Sequence, residues 1–284
     1  MMREELPGYT GKVVLVVGSS RGLGRRVAEL MAAQGARVII NSASTAVDGR
    51  IVARSIKSAG GQASYIGADV SCEDQVAAMA ELVREKFGRL DIVVHCAAGG
   101  PEARVMDATL PMFERTFSVN SYSLVTLARH LSPLMPAGSR FVYMSSMGAI
   151  RASHGYGVVG AAKAASEALI RSLALELAPS GITVNGLRTT AFPSLSLRYF
   201  SGSGDWLAMC DRESPLGPPP VEKVAETILL LCSSGADYIT GQVLNVDGGW
   251  LTSVQRTASP EPGELIFGVN RHSSPQPGSG ENAI

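Results

Sequence analysis

The feature that most constrains the fold is a glycine-rich turn near the start of the chain. The apolar run Lys12–Val17 leads into Gly18 to Gly24, spaced G-x-x-x-G-x-G, and the helical pattern Arg25–Ala33 follows. This order predicts a strand, a tight turn and a helix, whose free N–H groups and dipole favour a pyrophosphate. Because glycines are also common at plain structural turns, the turn alone leaves a purely structural role open.

Strand-like and helical patterns alternate along the rest of the chain. The pattern predicts strands at Ala36–Ile40, Ala63–Ile66, Leu90–His95 and Arg140–Met144, and helices at Asp74–Phe87 and about Leu110–Leu134. Repeated βα units with nearly continuous apolar strands predict a parallel sheet with helices on both faces, a single doubly wound α/β domain over residues 1–250. Ligands of such sheets bind beyond the carboxyl ends of the strands, so the segments after the strands should converge on one crevice.

The segment after the second predicted strand bears on the choice of dinucleotide. An NAD site normally carries an acid there for the ribose 2′-hydroxyl, but no acid occurs before Asp48. A 2′-phosphate would meet no carboxylate, and Arg21, Asn41, Ser42 and Ser44 are available to bind it. The sequence therefore favours NADPH over NADH. The alternative is that Arg21 is simply a solvated loop residue.

Tyr156 and Lys163 form the most informative pair of polar residues. They stand seven positions apart, and seven residues are about two turns of one helix face. A phenol and an ammonium would then line the same cleft, and the flanking Gly155 and Gly157 predict that Tyr156 lies just before the first turn. Taken alone, the pair is also compatible with a half-buried aromatic and a solvated lysine.

From about Thr10 to Trp250 the chain resembles a short-chain dehydrogenase/reductase, a Rossmann-fold family. The resemblance is carried by the glycine loop and by a set of short motifs: Asp69-Val70, His95-Cys96-Ala97-Ala98, Val119-Asn120, Ser146, Lys163, Gly241-Gln242 and Val246-Asp247-Gly248-Gly249. Most members use a Tyr-x-x-x-Lys pair, but Val159 stands at that tyrosine position here. The Tyr-x6-Lys spacing and the stretch Ser145 to Arg151 resemble the NADPH-dependent enoyl-acyl-carrier-protein reductases.

The resemblance implies roles for four catalytic residues. Tyr156 would donate a hydrogen bond to the oxygen of an enolate formed from a 2,3-unsaturated thioester. Lys163 would hold the nicotinamide ribose and favour the phenolate form of Tyr156. Ser146 would add a hydrogen bond to the thioester or the ribose. Asn120 would support the lysine through backbone and water contacts, or would only bend its helix.

The resemblance also implies a set of cofactor-binding residues. They are Gly18, Ser20, Arg21, Gly22, Leu23, Gly24, Asn41, Ser42, Ser44, Asp69, Val70, Cys96, Ala97, Ala98, Lys163 and Thr189. Two positions depart from the family pattern. Thr189-Thr190 replaces the usual Pro-Gly, and Cys96, to which we assign no chemistry, replaces an asparagine.

Substrate choice is assigned to residues 191–220, which mix aromatic and apolar side chains with glycine and proline. This composition predicts a mobile lid over an apolar acyl chain or ring, or a plain surface excursion. Arg188 and Arg198 are candidates for a carrier phosphate, or are solvated charges. The composition of residues 251–284 predicts a flexible tail, in which Leu265 to Phe267 would dock as a short segment.

Charge and cysteine content exclude several classes of protein. The 284 residues include 25 basic and 25 acidic ones, so no overall field favours nucleic acid or an anionic membrane. The four cysteines and four histidines show no metal-ligand spacing, which predicts a reduced cytoplasmic protein without structural metal. No apolar run approaches the roughly 18 residues of a membrane span, and no secretory signal is expected. The family resemblance implies a homotetramer.

Three functions stay open at this point. The first is an NADPH-dependent enoyl-thioester reductase, acting on an acyl-carrier-protein or coenzyme A substrate in fatty-acid or specialised acyl metabolism. The second is an NADPH-dependent carbonyl reductase of 3-ketoacyl or polyketide ketones. The third is a cofactor-binding scaffold or sensor without activity, which the presence of both Tyr156 and Lys163 argues against.

Overall fold

The computed structural model describes residues 8–191 and 203–252. In these ranges seven strands form one parallel sheet in the order β3-β2-β1-β4-β5-β6-β7. The strands are Val13–Val17 (β1), Arg37–Ser42 (β2), Gln62–Gly67 (β3), Ile92–His95 (β4), Arg140–Met144 (β5), Thr183–Thr189 (β6) and Val243–Val246 (β7). The strand order reverses between β1 and β4, which in such folds opens a ligand crevice at the carboxyl edge.

Helices cover both faces of the sheet, which confirms the predicted doubly wound α/β fold. The longer helices are Gly22–Ala33 (α1), Ala46–Ser58 (α2), Glu73–Phe87 (α3), Leu110–Phe117 (α4), Ser123–Leu131 (α5), Gly157–Leu177 (α6), Ser203–Glu213 (α7) and Val221–Cys232 (α8). Alternate side chains of β1 point to opposite faces, so Val14 and Val16 pack with α1, α2 and α8. Val13, Leu15 and Val17 pack with α3, α5 and α6.

The structure is helical throughout Leu110–Leu134, as predicted, but not all of this stretch is α-helix. A wide π turn, Ser118–Tyr122, separates α4 from α5. Hydroxyls and one amide compete for the carbonyls of this stretch: Ser123 Oγ donates to Val119 O at 2.6 Å and Asn120 Nδ2 donates to Thr116 O at 2.8 Å. Such side-chain bonds weaken the regular i to i−4 ladder, which explains the break.

The chain divides into two units, residues 1–253 and residues 254–284. The second unit lies outside the described residues, as does the segment Leu265 to Phe267. The tail therefore stays a prediction. No helix within 8–191 and 203–252 combines the length and apolarity that a membrane crossing requires.

Candidate active site

A cavity of about 500 Å³ opens at the carboxyl ends of β1 to β4. Of the sixteen predicted cofactor-binding residues, all except Lys163 and Thr189 line it. Tyr156 and Val159 line the same cavity, so the predicted reactive phenol faces the predicted dinucleotide site. The convergence follows from the parallel topology, which brings the ends of all strands to one edge.

The glycine loop has the backbone shape that a dinucleotide pyrophosphate needs. Gly18 has φ +74°, and a Cβ there would lie 2.7 Å from the backbone of Ala97. At Gly24 a Cβ would lie 2.3 Å from Gly18 O, whereas Gly22, with φ +58°, faces open space. The N-cap residue Arg21 makes no side-chain cap bond and the first turn of α1 holds no acid, so its N–H end suits an anion. The residues present therefore fit the pyrophosphate of a dinucleotide.

The four residues predicted to bind a 2′-phosphate differ in how available they are. Both N–H groups of the buried Asn41 amide are engaged, donating to Ile66 O at 3.1 Å and Ala68 O at 3.2 Å. That amide ties β2 to the segment after β3 and is not free for phosphate, which corrects its predicted role. Ser42 Oγ lies 3.1 Å from the Tyr65 hydroxyl, while Arg21 and Ser44 are exposed at the rim of the cavity.

Asp69 is held by an arginine that the sequence did not single out. Arg115, on α4 at the cavity wall, donates through Nη2 to Asp69 Oδ2 at 3.0 Å. Ser71 donates to the other carboxylate oxygen from its N–H at 3.0 Å and its hydroxyl at 2.7 Å. Partial burial raises the pKa of Asp69, but these hydrogen bonds outweigh it and hold the pKa below its usual value. Only the fold brings Arg115 to Asp69, so no sequence pattern signals the pair.

Tyr156 stands at the N-cap of α6, immediately before the first turn, as predicted. Its ring fits against Gly148, where a Cβ would lie 2.3 Å from Tyr156 Cε1. Burial raises the pKa of Tyr156, and its hydrogen bond with Ser146 opposes this only in part. The phenol is therefore protonated at neutral pH and able to donate a proton or hydrogen bond. Ser146 also accepts from Gly148 N at 3.1 Å, which fixes its hydroxyl beside the ring.

Lys163 lies deeper than predicted and does not line the cavity. Its ammonium donates to Met144 O at 2.8 Å and lies 4.7 Å from the centre of the Tyr143 ring. Burial lowers the pKa of Lys163 to about 8, and the neighbouring Cys96 and Glu167 counteract this in part. The expected effect on Tyr156 is corrected: burial raises the pKa of that phenol, the hydrogen bond with Ser146 lowers it only in part, and Lys163 is not among the causes.

Asn120 serves the π turn and makes no hydrogen bond to Lys163. Its amide donates to Gly99 O and Thr116 O at 2.5 and 2.8 Å. Its backbone carbonyl accepts from Tyr143 Oη at 2.8 Å and from Ser166 Oγ at 3.0 Å. The carbonyl expected to support the lysine is thus occupied by two other hydroxyls. Asn120 thus lies in the π turn, and its support of Lys163 through water stays a prediction.

The strand end that carries Arg188 and Thr189 differs from expectation in one respect. Arg188 is neither solvated nor directed at a carrier phosphate, because it binds Glu167 through two bonds of 2.9 and 2.6 Å. Glu167 also accepts from Ser145 Oγ at 2.5 Å, so this ion pair is a buried tie between β5, β6 and α6. Thr189 Oγ1 is buried without a hydrogen-bond partner among the described residues, although Thr189 does not line the cavity. Arg198 lies outside the described residues.

Neither a reactive thiol nor a metal centre is found among the described residues of the site. Burial raises the pKa of the Cys96 thiol to about 12, which makes it a poor nucleophile. Within residues 8–191 and 203–252, no three His, Cys, Asp or Glu residues are grouped so that they could hold a metal ion.

Comparison with known proteins places the chain in a family. Residues 17–251 match the family model described as Enoyl-(Acyl carrier protein) reductase. The chain is 36% identical over 241 residues to 1-cyclohexenylcarbonyl-CoA reductase of Streptomyces collinus, covering 84% of this chain and 86% of that protein. It is 30% identical over 250 residues to trihydroxynaphthalene reductase of Colletotrichum orbiculare, covering 84% and 89%.

A solved structure gives the same result. The enoyl-[acyl-carrier-protein] reductase (NADH) of Aquifex aeolicus superposes with a TM-score of 0.79 at 30% identity, covering 85% of this chain and 97% of that one. The chain therefore belongs to the short-chain dehydrogenase/reductase family of oxidoreductases.

Proposed function

We propose that the protein reduces the 2,3 double bond of an enoyl thioester with NADPH, in fatty-acid or specialised acyl metabolism. The observation that carries this proposal is the phenol at the cavity. Tyr156 lines the cavity at Tyr-x6-Lys spacing, whereas the position four before Lys163 is the buried Val159. The neighbouring Tyr143 is fully buried and donates to Asn120 O, so it is unavailable to a substrate.

The chemistry assigned to this chain's own residues is proton and hydrogen-bond donation. A bound nicotinamide cofactor supplies the hydride for the β-carbon of the thioester. Tyr156, protonated because its pKa is raised, donates to the thioester oxygen as negative charge grows there. Ser146 holds the phenol by a hydrogen bond. Lys163, whose pKa of about 8 keeps it mostly charged at neutral pH, and Thr189 would bind the nicotinamide half of the cofactor.

NADPH is favoured over NADH by the charge at the rim of the cavity. No carboxylate occurs among residues 41–45, and the guanidinium of Arg21 and the hydroxyl of Ser44 are exposed beside them. An arginine can pair with the 2′-phosphate, whereas NADH offers it no comparable anion. The Aquifex reductase is described with NADH, so cofactor choice must be measured for this chain.

A ketone reductase is the second candidate. The similarity to trihydroxynaphthalene reductase favours it, and a protonated Tyr156 is equally able to donate to a ketone oxygen. The two candidates differ in where the hydride goes, because an enoyl reductase delivers it to the β-carbon of a double bond and a ketone reductase delivers it to the carbonyl carbon.

The deciding experiment uses deuterated NADPH with matched 2-enoyl and 3-ketoacyl thioesters, on coenzyme A and on carrier protein. We expect a saturated acyl product with deuterium at the β-carbon. A 3-hydroxy product carrying deuterium would contradict the proposal and identify a ketone reductase. Absence of turnover with both sets would support the scaffold or sensor role.

We also propose that the protein assembles as a homotetramer through α6 and β7, as the family resemblance implies. Leu175 on α6 is 78% exposed, an apolar side chain that self-association would cover. Light scattering of the purified chain tests this: a mass four times that of the chain is expected, and a monomer contradicts it.

A further inference from the structure

An aromatic side chain from α7 stands against the proposed catalytic phenol. The rings of Trp206 and Tyr156 are 5.8 Å apart, centre to centre, and inclined at 67°. Trp206 is half-buried and packs with Leu207 against the buried Ala191 and Cys210. The indole therefore keeps part of its surface available while its base is anchored.

The C-terminal end of α7 is tied to the same loop that leads to Tyr156. Trp250 Nε1 donates to Glu213 Oε2 at 3.0 Å, at the last residue of α7. The guanidinium of Arg151 lies 4.4 Å from the centre of the Trp250 ring, and Arg151 precedes Tyr156 by five residues. Just beyond α7, Leu216 N donates to Gly248 O at 2.9 Å. These contacts at the end of α7 help to fix the position of the Trp206 indole relative to the Tyr156 phenol.

We propose that Trp206 is a specificity-determining residue that selects a ring-bearing acyl group over a linear chain of equal size. Tyr156 lines the cavity, and Trp206 meets it edge to face with part of its indole still exposed, so a flat ring held beside Tyr156 has an aromatic surface to pack against. A cyclic acyl group also has fewer torsions to freeze on binding than a linear chain. The inference rests on the proposed function, because it places the acyl group of that substrate beside Tyr156.

The test measures binding, so that it does not depend on which reaction occurs. Saturated cyclohexanecarbonyl-CoA and heptanoyl-CoA, which have equal carbon numbers, are titrated into the protein with NADP⁺ by calorimetry. We expect wild type to bind the ring analogue about 10-fold more tightly, a preference typical of shape selection in an apolar pocket. Trp206→Leu should reduce the preference to about 2-fold or less.

Leu207→Ala is the matched control, since Leu207 packs against the same two residues without offering a ring. It should keep the preference. If Trp206→Leu does not fold, Trp206→Met supplies a flexible side chain without a ring and should lose the preference likewise. An unchanged preference in the Trp206 variants, equal binding of both analogues by wild type, or no binding of either overturns the proposal. Failure of the enoyl-reductase proposal appears separately, as the position of deuterium in the wild-type product.

Discussion

The two sides of the proposed active site differ in what each would use to bind its ligand. On the cofactor side, formed by the loops after β1 to β4, the backbone supplies the shape: Gly18 and Gly24 allow close approach and α1 presents its N-terminus. On the proposed substrate side, Tyr156 lines the cavity and Lys163 is buried outside its lining; here side chains supply the chemistry, and burial shifts their pKa values. Backbone shape depends on local sequence, whereas the charge of a side chain depends on all its neighbours. Backbone shape can therefore be predicted from sequence more directly than the charge of a side chain.

The largest expected effect comes from removing the phenol on the substrate side. Tyr156→Phe should lower kcat by about 100-fold, the usual range for loss of a proton donor, with the Kd for NADPH changed less than about 2-fold. Tyr122→Phe, at an exposed tyrosine that donates to Glu73, is the control and should leave kcat unchanged. Steady-state kinetics and NADPH titration measure both. Unchanged turnover in Tyr156→Phe would remove the catalytic role and with it the contrast between the two sides.

The cofactor side is tested by adding one methyl group. Gly18→Ala should weaken NADPH binding by about 10-fold, because strain at φ +74° adds to a clash with Ala97. Gly60→Ala is the matched control, because Gly60 also has a positive φ, +86°, but a Cβ there would meet open space. It should lower the melting temperature without changing the Kd for NADPH. Equal Kd values for both variants would show that strain alone, and not the shape of the loop, matters.

The charge at the rim should decide between the two dinucleotides. Arg21→Ser should raise the Kd for NADPH by about 5-fold and leave that for NADH unchanged, because only the 2′-phosphate pairs with the guanidinium. Arg25→Ser, on the first turn of α1 and paired with Glu29, is the control. Fluorescence titration with both cofactors measures the ratio. A parallel weakening of NADH binding would place Arg21 at the pyrophosphate instead.

The smallest effect concerns the pH profile set by Lys163. Since its pKa is lowered from 10.5 to about 8, NADPH binding that needs the ammonium should fall as pH rises past about 8. Glu167 raises that pKa, so Glu167→Gln should shift the fall to lower pH, with little change below it. Glu176→Gln, exposed on the same helix, should not shift it. Circular dichroism checks that each variant is folded. If Glu167→Gln leaves the pH profile of NADPH binding unchanged, Glu167 does not influence the pKa of Lys163.

Linkage predicts the accompanying change in stability. The folded chain releases the proton of Lys163 at lower pH than the unfolded chain does. Burial of the charged ammonium therefore lowers the free energy of unfolding, and below about pH 8 this effect is present in full. This cost diminishes as pH rises from about 8 towards 10.5. Lys163→Met, which removes the charge, should abolish this contribution, as measured by urea unfolding across that range.

Particular residues show how far sequence reasoning reached. The glycine loop, the parallel sheet and the placement of Tyr156 before α6 follow from local patterns and were predicted. The break at Ser118–Tyr122 was missed, because its cause includes the bond from Asn120 to Gly99, twenty-one residues away. Asn41 and Arg188 were assigned to ligands because their partners, Ala68 and Glu167, adjoin them only in the folded chain.

The sequence by itself determined the family, the doubly wound sheet and the residue types at its carboxyl edge. Periodicity and glycine spacing report on backbone geometry, which neighbouring residues largely dictate. Only the tertiary structure decided that Arg115 binds Asp69, that Lys163 is buried beside Met144 O, and that Trp206 stands against Tyr156. These arrangements join residues distant in the chain, and the free energy of a charge or a ring depends on the surroundings that folding creates.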